Sequence, residues 1–302
     1  MIASSNSMEA GTEKTASERG YFTYVEGVGT IPRDIYRHVK SDVFGDIPRY
    51  SAHIVIQHIA VFASFIVLAA TGLPLHFSEV FWASPVISLF GGADSARFIH
   101  RIAAFTMIGA SIYHIVTITG GTISKIIRKE FDIKRTQVPR IKDLLDLIHD
   151  IKYFLGLEPY RPKMEKFMYK QKLHYLAILW GTAVMIFAGA ALLYPEYVAM
   201  LWPSNPHFVQ DLARLMHADE AIMALIVVAF WHWSNVHLVP GRFPLQWTVF
   251  TGKITREHQI EEHFLEYLNN LREIPEEREY MKALLLELDL AGTEEAPIDL
   301  LS

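Results

Sequence analysis

Four stretches of this chain contain no Asp, Glu, Lys or Arg: Tyr50–Ser78, Ile102–Ser124, Leu173–Pro195 and Ala221–Gly241. A helix needs roughly 20 apolar residues to cross about 30 Å of hydrocarbon, and each stretch is long enough. Lipid offers the backbone no hydrogen-bond partner, so such a segment must satisfy its own N–H and C=O groups as a helix. The expected fold is all-α: an integral membrane four-helix bundle, with spans at about residues 51–77, 97–124, 172–195 and 207–239. An apolar content of 51% exceeds that of an ordinary soluble domain and agrees.

Lys and Arg near helix ends stay in the cytoplasm, so their distribution orients the bundle. The N-terminal arm, the loop from Thr119 to Lys172 and the C-terminal tail hold 6, 13 and 6 of them, and the opposite loops share only Arg97, Arg101 and Arg214. Both termini and the long middle loop are therefore expected in the cytoplasm. Residues 1–48 form a cytoplasmic arm whose Ser, Thr, Glu and Ala mixture reads as partly disordered, residues 49–255 the membrane domain, and residues 256–302 a charged cytoplasmic tail. The polar first twenty residues, with Glu9 and Glu13, do not read as a secretory signal. In the middle loop, "IKDLLDLIHDIKYFLG" repeats Ile and Leu at three- and four-residue steps. That pattern fits an amphipathic helix lying on the inner membrane surface, or a soluble hairpin helix.

The chain has no cysteine, which removes iron–sulfur clusters and covalent c-type haem from its chemistry. No phosphate-binding glycine loop, nucleotide fingerprint or nucleophile elbow is present either. Histidine remains, with 14 copies. At about 1.5 Å rise per residue, His58 falls in the inner third of the first span and His76 at its outer end. His100 falls at the outer rim of the second span and His114 toward its inside. On the fourth span His217 is outer and His232 inner, with His237 at the inner exit. His217 and His232 are 15 residues apart, roughly 22 Å and about 60° of azimuth, so they share a face; His237 is turned about 200° from His217 and is expected at the water interface near Arg242.

An imidazole is costly in hydrocarbon unless something binds it, and two at one depth on neighbouring helices can hold a haem iron from both sides. His100 and His217 form the outer candidate pair. His232 forms the inner one with either His58 or His114. Two such haems roughly 20 Å apart would carry electrons across most of a bilayer. Gly72, 14 residues after His58 at the outer level, leaves room for a porphyrin edge or simply for helix packing. Arg97, Arg101 and Arg214 neighbour the outer pair, where haem propionates would want them, though rim arginines are also ordinary solvated charges. His53, His76, His149, His207, His258 and His263 read as surface or interface histidines.

With "HIAVFASFIVLAATG", "ARFIH", "QKLHYLAILW", "LMHADEA" and "VPGRFP" in this order over roughly Arg49–Thr255, the chain resembles the cytochrome b, or gamma, subunits of membrane-bound formate dehydrogenases and nickel–iron hydrogenases. The resemblance implies two non-covalent bis-histidine haem b groups, with His58 and His232 as the inner pair and His100 and His217 as the outer. It also implies an electron-transfer subunit of a quinone-linked oxidoreductase complex of the respiratory chain, in a bacterial or archaeal cytoplasmic membrane. Its outer-side partner would be an iron–sulfur subunit or a multihaem cytochrome c. The family spaces its fourth-span histidines by 14, which lands on Trp231, so His232 requires a local rotation or a bulge. His114, 14 residues after His100, is an additional histidine. By the same resemblance the quinone site lies at the cytoplasmic end, where Lys170, Gln171, Lys172 and His174 open the third span. The family's Asn and Gly before its Gln–Lys pair are replaced here by Met168 and Lys170, and positive-inside anchoring is the plain alternative for the lysines. A histidine-lined metal transporter or a haem-free anchor is the competing class; mid-depth Asp or Glu, which a divalent-ion path wants, is not expected in the spans.

Overall fold

The computed structural model describes residues 22–25, 29–32, 45–159, 161–162, 164–238, 243–263, 266–267, 270 and 279. The expected disorder of the N-terminal arm, apart from its described strands, and the acidic end of the tail lie outside these residues, as do Pro240, Gly241 and Arg242. The chain is mostly helical. It departs from an all-α expectation through two small antiparallel ladders, β1 (Phe22–Val25) with β2 (Gly29–Pro32), and β3 (Ile47–Pro48) with β4 (Lys253–Ile254). It divides into two compact units. One comprises residues 47–133 and 170–254, the other residues 1–46, 134–169 and 255–302.

Three helices are long and apolar enough to cross a membrane: α1 (Ala52–His76), α3 (Ala93–Ile127) and α5 (Tyr169–Leu193). They match the first three expected spans, with α3 beginning four residues earlier than expected. Between α1 and α3 lies the short α2 (Ala83–Leu89), joined to α3 by Gly91 and Gly92, whose φ values of 85° and 100° suit only glycine. After α5 come α6 (Pro195–Leu201) and α7 (Pro206–Ile226), the latter capped by Asn205, whose side chain accepts from the Phe208 amide at 3.2 Å. Helical chain then continues through a π segment (Val227–His232) into α8 (Trp233–His237). The fourth expected span is thus built in three pieces. Its first piece carries Asp211, Arg214, Asp219 and Glu220, which is why α7 alone lacks the apolar content of the other three helices.

The packing of this unit is inverted relative to a water-soluble protein. Large apolar side chains such as Ile66, Phe105, Val116, Trp180 and Phe187 face outward, while Ala96, Ala103, Gly181, Ala188 and Ala213 are buried where helices meet. That is the pattern lipid imposes, since small residues let backbones approach and hydrocarbon solvates the rest. Buried hydroxyls bond to their own helix: Ser64 donates to the Ala60 carbonyl at 2.7 Å and Thr71 to that of Val67 at 2.7 Å. The chain entering α1 is tied to the chain leaving the last helical segment. Ile47 pairs with Ile254, and the amides of Arg49 and Tyr50 both donate to the Gly252 carbonyl at 2.8 and 2.9 Å. Gly252 follows α9 (Thr248–Thr251) at φ 73°, and a Cβ there would stand 2.5 Å from the Tyr50 carbonyl oxygen.

The second unit carries the amphipathic helix, α4 (Ile141–Phe154). Its polar face is the one turned to the unit's interior. Asp150, 1% exposed, accepts from Arg161 at 3.0 Å and from the Tyr169 hydroxyl at 2.7 Å. Lys142 pairs with Asp146, whose carboxyl is pushed up by burial against the pull of that lysine. Ile141, Leu144, Leu145, Ile148 and Ile151 are exposed. The tail begins with α10 (Arg256–Glu262).

Candidate functional site

α1, α3, α5 and the α7–α8 segment bring the predicted histidines of the first unit together in two groups. In the outer group, the rings of His100 on α3 and His217 on α7 have centroids 6.4 Å apart. The Thr71 hydroxyl gives its proton to a backbone carbonyl and so receives one from His100 Nδ1, at 2.9 Å. This donation leaves the lone pair on His100 Nε2. Gly72 lies beneath this ring, where a Cβ would be 3.0 Å from His100 Cε1. Gly189 on α5 does the same for His217, at 3.2 Å. Gly72 was legible in the sequence as a small residue at the outer level; Gly189 and Thr71 were not singled out, although Thr71 is Gly72's neighbour.

In the inner group, His58 on α1 and His232 in the π segment have ring centroids 6.5 Å apart. The π segment is a bulge of the kind expected from the resemblance to a family whose fourth-span histidines are spaced by 14. It absorbs one residue, so His232 reaches the azimuth that a 14-residue spacing would give in a regular helix. His174 from α5 stacks on His232 at 4.8 Å and 19°, and its buried Nδ1 has no hydrogen-bond partner. His114 is differently placed. Its Nδ1 donates to Gln57 Oε1 at 2.8 Å, and its Nε2 accepts from the Tyr175 hydroxyl at 3.1 Å, so both ring nitrogens are engaged. Gln57 in turn donates to His53 Nδ1 at 3.3 Å, which continues the line to the start of α1.

Other predicted positions fall as follows. Arg97 and Arg214 are exposed and each pairs with an aspartate one turn earlier, Asp94 and Asp211, at 2.9 Å; Arg101 is also exposed. Lys170 and Gln171 are half-buried at the start of α5, whereas Lys172 is 1% exposed and so is not a solvated anchor. His237 is buried rather than at the water interface: its Nδ1 accepts from the Gln246 amide at 3.0 Å and its ring packs on Trp233. The returning Gln246 backbone covers a face that helix azimuth alone leaves open. Glu220 corrects a second expectation. A carboxylate does sit within the helical segments, directly against Gly181 in the middle of α5, where the missing side chain makes its seat. In the other unit, His258, Glu262 and His263 converge, and His263 is buried rather than superficial.

No protein-family model matches the chain, and no curated protein matches it either.

Proposed function

We propose that this protein is a di-haem b-type cytochrome: a four-helix membrane bundle that moves electrons between a redox partner on the outer side and quinone dissolved in the membrane. The observation that carries the reading is the shared geometry of the two histidine pairs. A metal ion takes an imidazole nitrogen at about 2 Å, and that nitrogen lies about 1.1 Å from its ring centre, so two rings holding one ion between them would have centroids about 6.2 Å apart. The pairs stand at 6.4 and 6.5 Å. The His174–His232 stack, at 4.8 Å, is too close to admit an ion between its rings. His100, His217 and His232 are half-buried and His58 is exposed on an apolar helix, and an imidazole in either place is expensive in hydrocarbon unless something binds it.

Haem supplies reversible one-electron storage; the chain's residues supply position. Thr71 orients His100, Gly72 and Gly189 leave the outer rings unobstructed, and the π segment turns His232 inward. His114, with both nitrogens engaged, supports His58 as the partner of His232. Arg97, Arg101 and Arg214 stand at the outer rim for haem propionates, the present partners of Arg97 and Arg214 being single aspartates of exposed, exchangeable pairs. The ladder of β3 with β4 supports an even number of crossings, with both termini in the cytoplasm as the basic loops require. The outward apolar face of α4 supports a helix seated on the inner membrane surface.

His174 is the residue best placed to serve quinone. It touches His232, and a neutral imidazole can donate to a quinone carbonyl or pass it a proton. The resemblance to formate dehydrogenase and hydrogenase gamma subunits puts an iron–sulfur subunit or a multihaem cytochrome c on the outer side. Glu220 favours the transport alternative more than the sequence did, since it supplies the carboxylate a divalent-ion path wants. A pyridine haemochrome assay of purified protein separates the classes. Two haem b per chain are expected, and a folded, colourless protein would end the cytochrome reading. With haem present, His174→Ala is expected to slow haem oxidation or reduction by a soluble quinone analogue while both haems remain; unchanged rates would move the quinone site elsewhere.

A further inference from the structure

The second unit contains a group of ligand-type side chains that electron transfer does not use. α10 is opened by Thr255, whose hydroxyl accepts from the His258 amide at 3.3 Å. The i, i+4 spacing puts His258 and Glu262 on one face of this helix, with Nε2 and Oε2 at 3.1 Å. His263 follows at the helix end and is 1% exposed. Its Nδ1 donates to the backbone carbonyl of Glu165 at 3.0 Å, which leaves the lone pair on Nε2. The two rings have centroids 6.1 Å apart and are inclined by 30°, and one ligand atom from each of the three residues lies within 4.8 Å of the others.

We propose that His258, Glu262 and His263 bind a zinc ion at the start of the tail, one of whose ligands, His263, is bonded to the Glu165 carbonyl. Two imidazoles and one carboxylate suit zinc, whereas calcium and magnesium want all-oxygen sets. Three protein ligands leave the fourth tetrahedral position to water. Neighbouring ligands around zinc stand about 3.3 Å apart, so His258 and Glu262, at 3.1 Å, are already at that spacing and the wider separations close by up to about 1.5 Å. The bond from His263 to the Glu165 carbonyl is the outer-shell contact that holds a ligating imidazole in its tautomer and orientation. Arg161 is the neighbouring cation whose field reaches Glu262, and Asp150 holds its guanidinium at 3.0 Å.

The unit gives such a site a purpose. Among its described residues, Asp150, Arg256, Gln259, His263 and Glu266 are buried alongside few apolar ones, chiefly Met164, Ile260 and Tyr267. A small body with a thin apolar core gains more from a bound metal ion than a large one does. The proposal stands independently of haem.

The full-length protein, purified without a polyhistidine tag, would be incubated with zinc chloride and desalted, and its zinc counted by mass spectrometry. About one zinc per chain is expected, with an X-ray absorption edge fitted by two imidazole nitrogens and oxygen. His258→Ala and Glu262→Gln should each cut retained zinc at least tenfold while the rest of the protein, read by its thermal unfolding in detergent without added zinc, is unchanged. Should His263→Ala destabilise the unit, these two more accessible positions still decide the matter. Retention of no zinc by the wild type, equal zinc in the variants, or an absorption spectrum without imidazole nitrogen would each overturn the site.

Discussion

The outer and inner histidine groups share a spacing but not a construction. At the outer level each imidazole rests on a glycine, and one is fixed through a threonine to the backbone of α1. Nothing else titratable touches that pair among the described contacts. At the inner level, His232 faces His58 across 6.5 Å and stacks on His174, and a line of bonded side chains runs close by from Tyr175 through His114 and Gln57 to His53. The proposed function would use this difference: one-electron relay asks only that a ligand be held, whereas quinone chemistry also needs groups that handle protons.

The largest effect that can test this contrast is loss of one centre without the other. His217→Ala should abolish the outer haem and leave the inner, and His232→Ala should do the reverse, since each variant leaves a bis-histidine site with one ligand. Redox titration with haem quantification reads both. Two bis-histidine haems surviving in either variant would remove that histidine from its pair. The π segment gives a sharper version, because it absorbs one residue between His217 and His232. Deleting Ala229 restores a 14-residue spacing in a regular helix and should keep both haems. Deleting Val228 and Ala229 together swings His232 about 100° away and should lose the inner haem alone. Inner-haem loss in the single deletion would show that the bulge does not set the azimuth of His232.

Smaller effects belong to the supports of the outer ring. Thr71→Val removes the acceptor for His100 Nδ1 and should weaken outer-haem retention by about tenfold, the usual scale for an outer-shell partner. Gly72→Ala sets a Cβ 3.0 Å from His100 and should perturb the same haem's spectrum. Gly109→Ala, with nothing within 4 Å, should not. Equal spectra for the two alanine variants would mean that Gly72 serves helix packing only.

The sequence revealed what one-dimensional rules govern. Freedom from charge marked α1 and α5 to within a few residues and the middle of α3, because lipid leaves few alternatives to an apolar helix; charge alone could not mark the start of α3, which begins at Ala93 and carries Asp94, Arg97 and Arg101. What it hid depends on which face of one element meets another. The burial of His237 follows from the return of Gln246, the seat of Glu220 from a glycine on a different helix, and the inward polar face of α4 from Arg161 and Tyr169. None of these is a periodicity. His258 and His263 read as surface or interface histidines, because nothing in the sequence shows the approach of Glu165 that orients His263.

The smallest expected effect concerns the residue that competed with His58. His114 lies on α3, fourteen residues from His100, so spacing alone makes it as good a ligand as any. Its ring, however, donates to Gln57 and accepts from Tyr175, and a ring with both nitrogens bonded must break one bond before it can take a metal. His114→Ala should therefore leave both haems in place. It should cost stability instead, on the order of 1–3 kcal/mol for the partners stranded in a low-dielectric interior, seen as a lower Tm in detergent. His58→Ala should remove the inner haem. If the two variants exchanged phenotypes, His114 would be the ligand, and the Gln57–Tyr175 line would be an arrangement that the metal displaces.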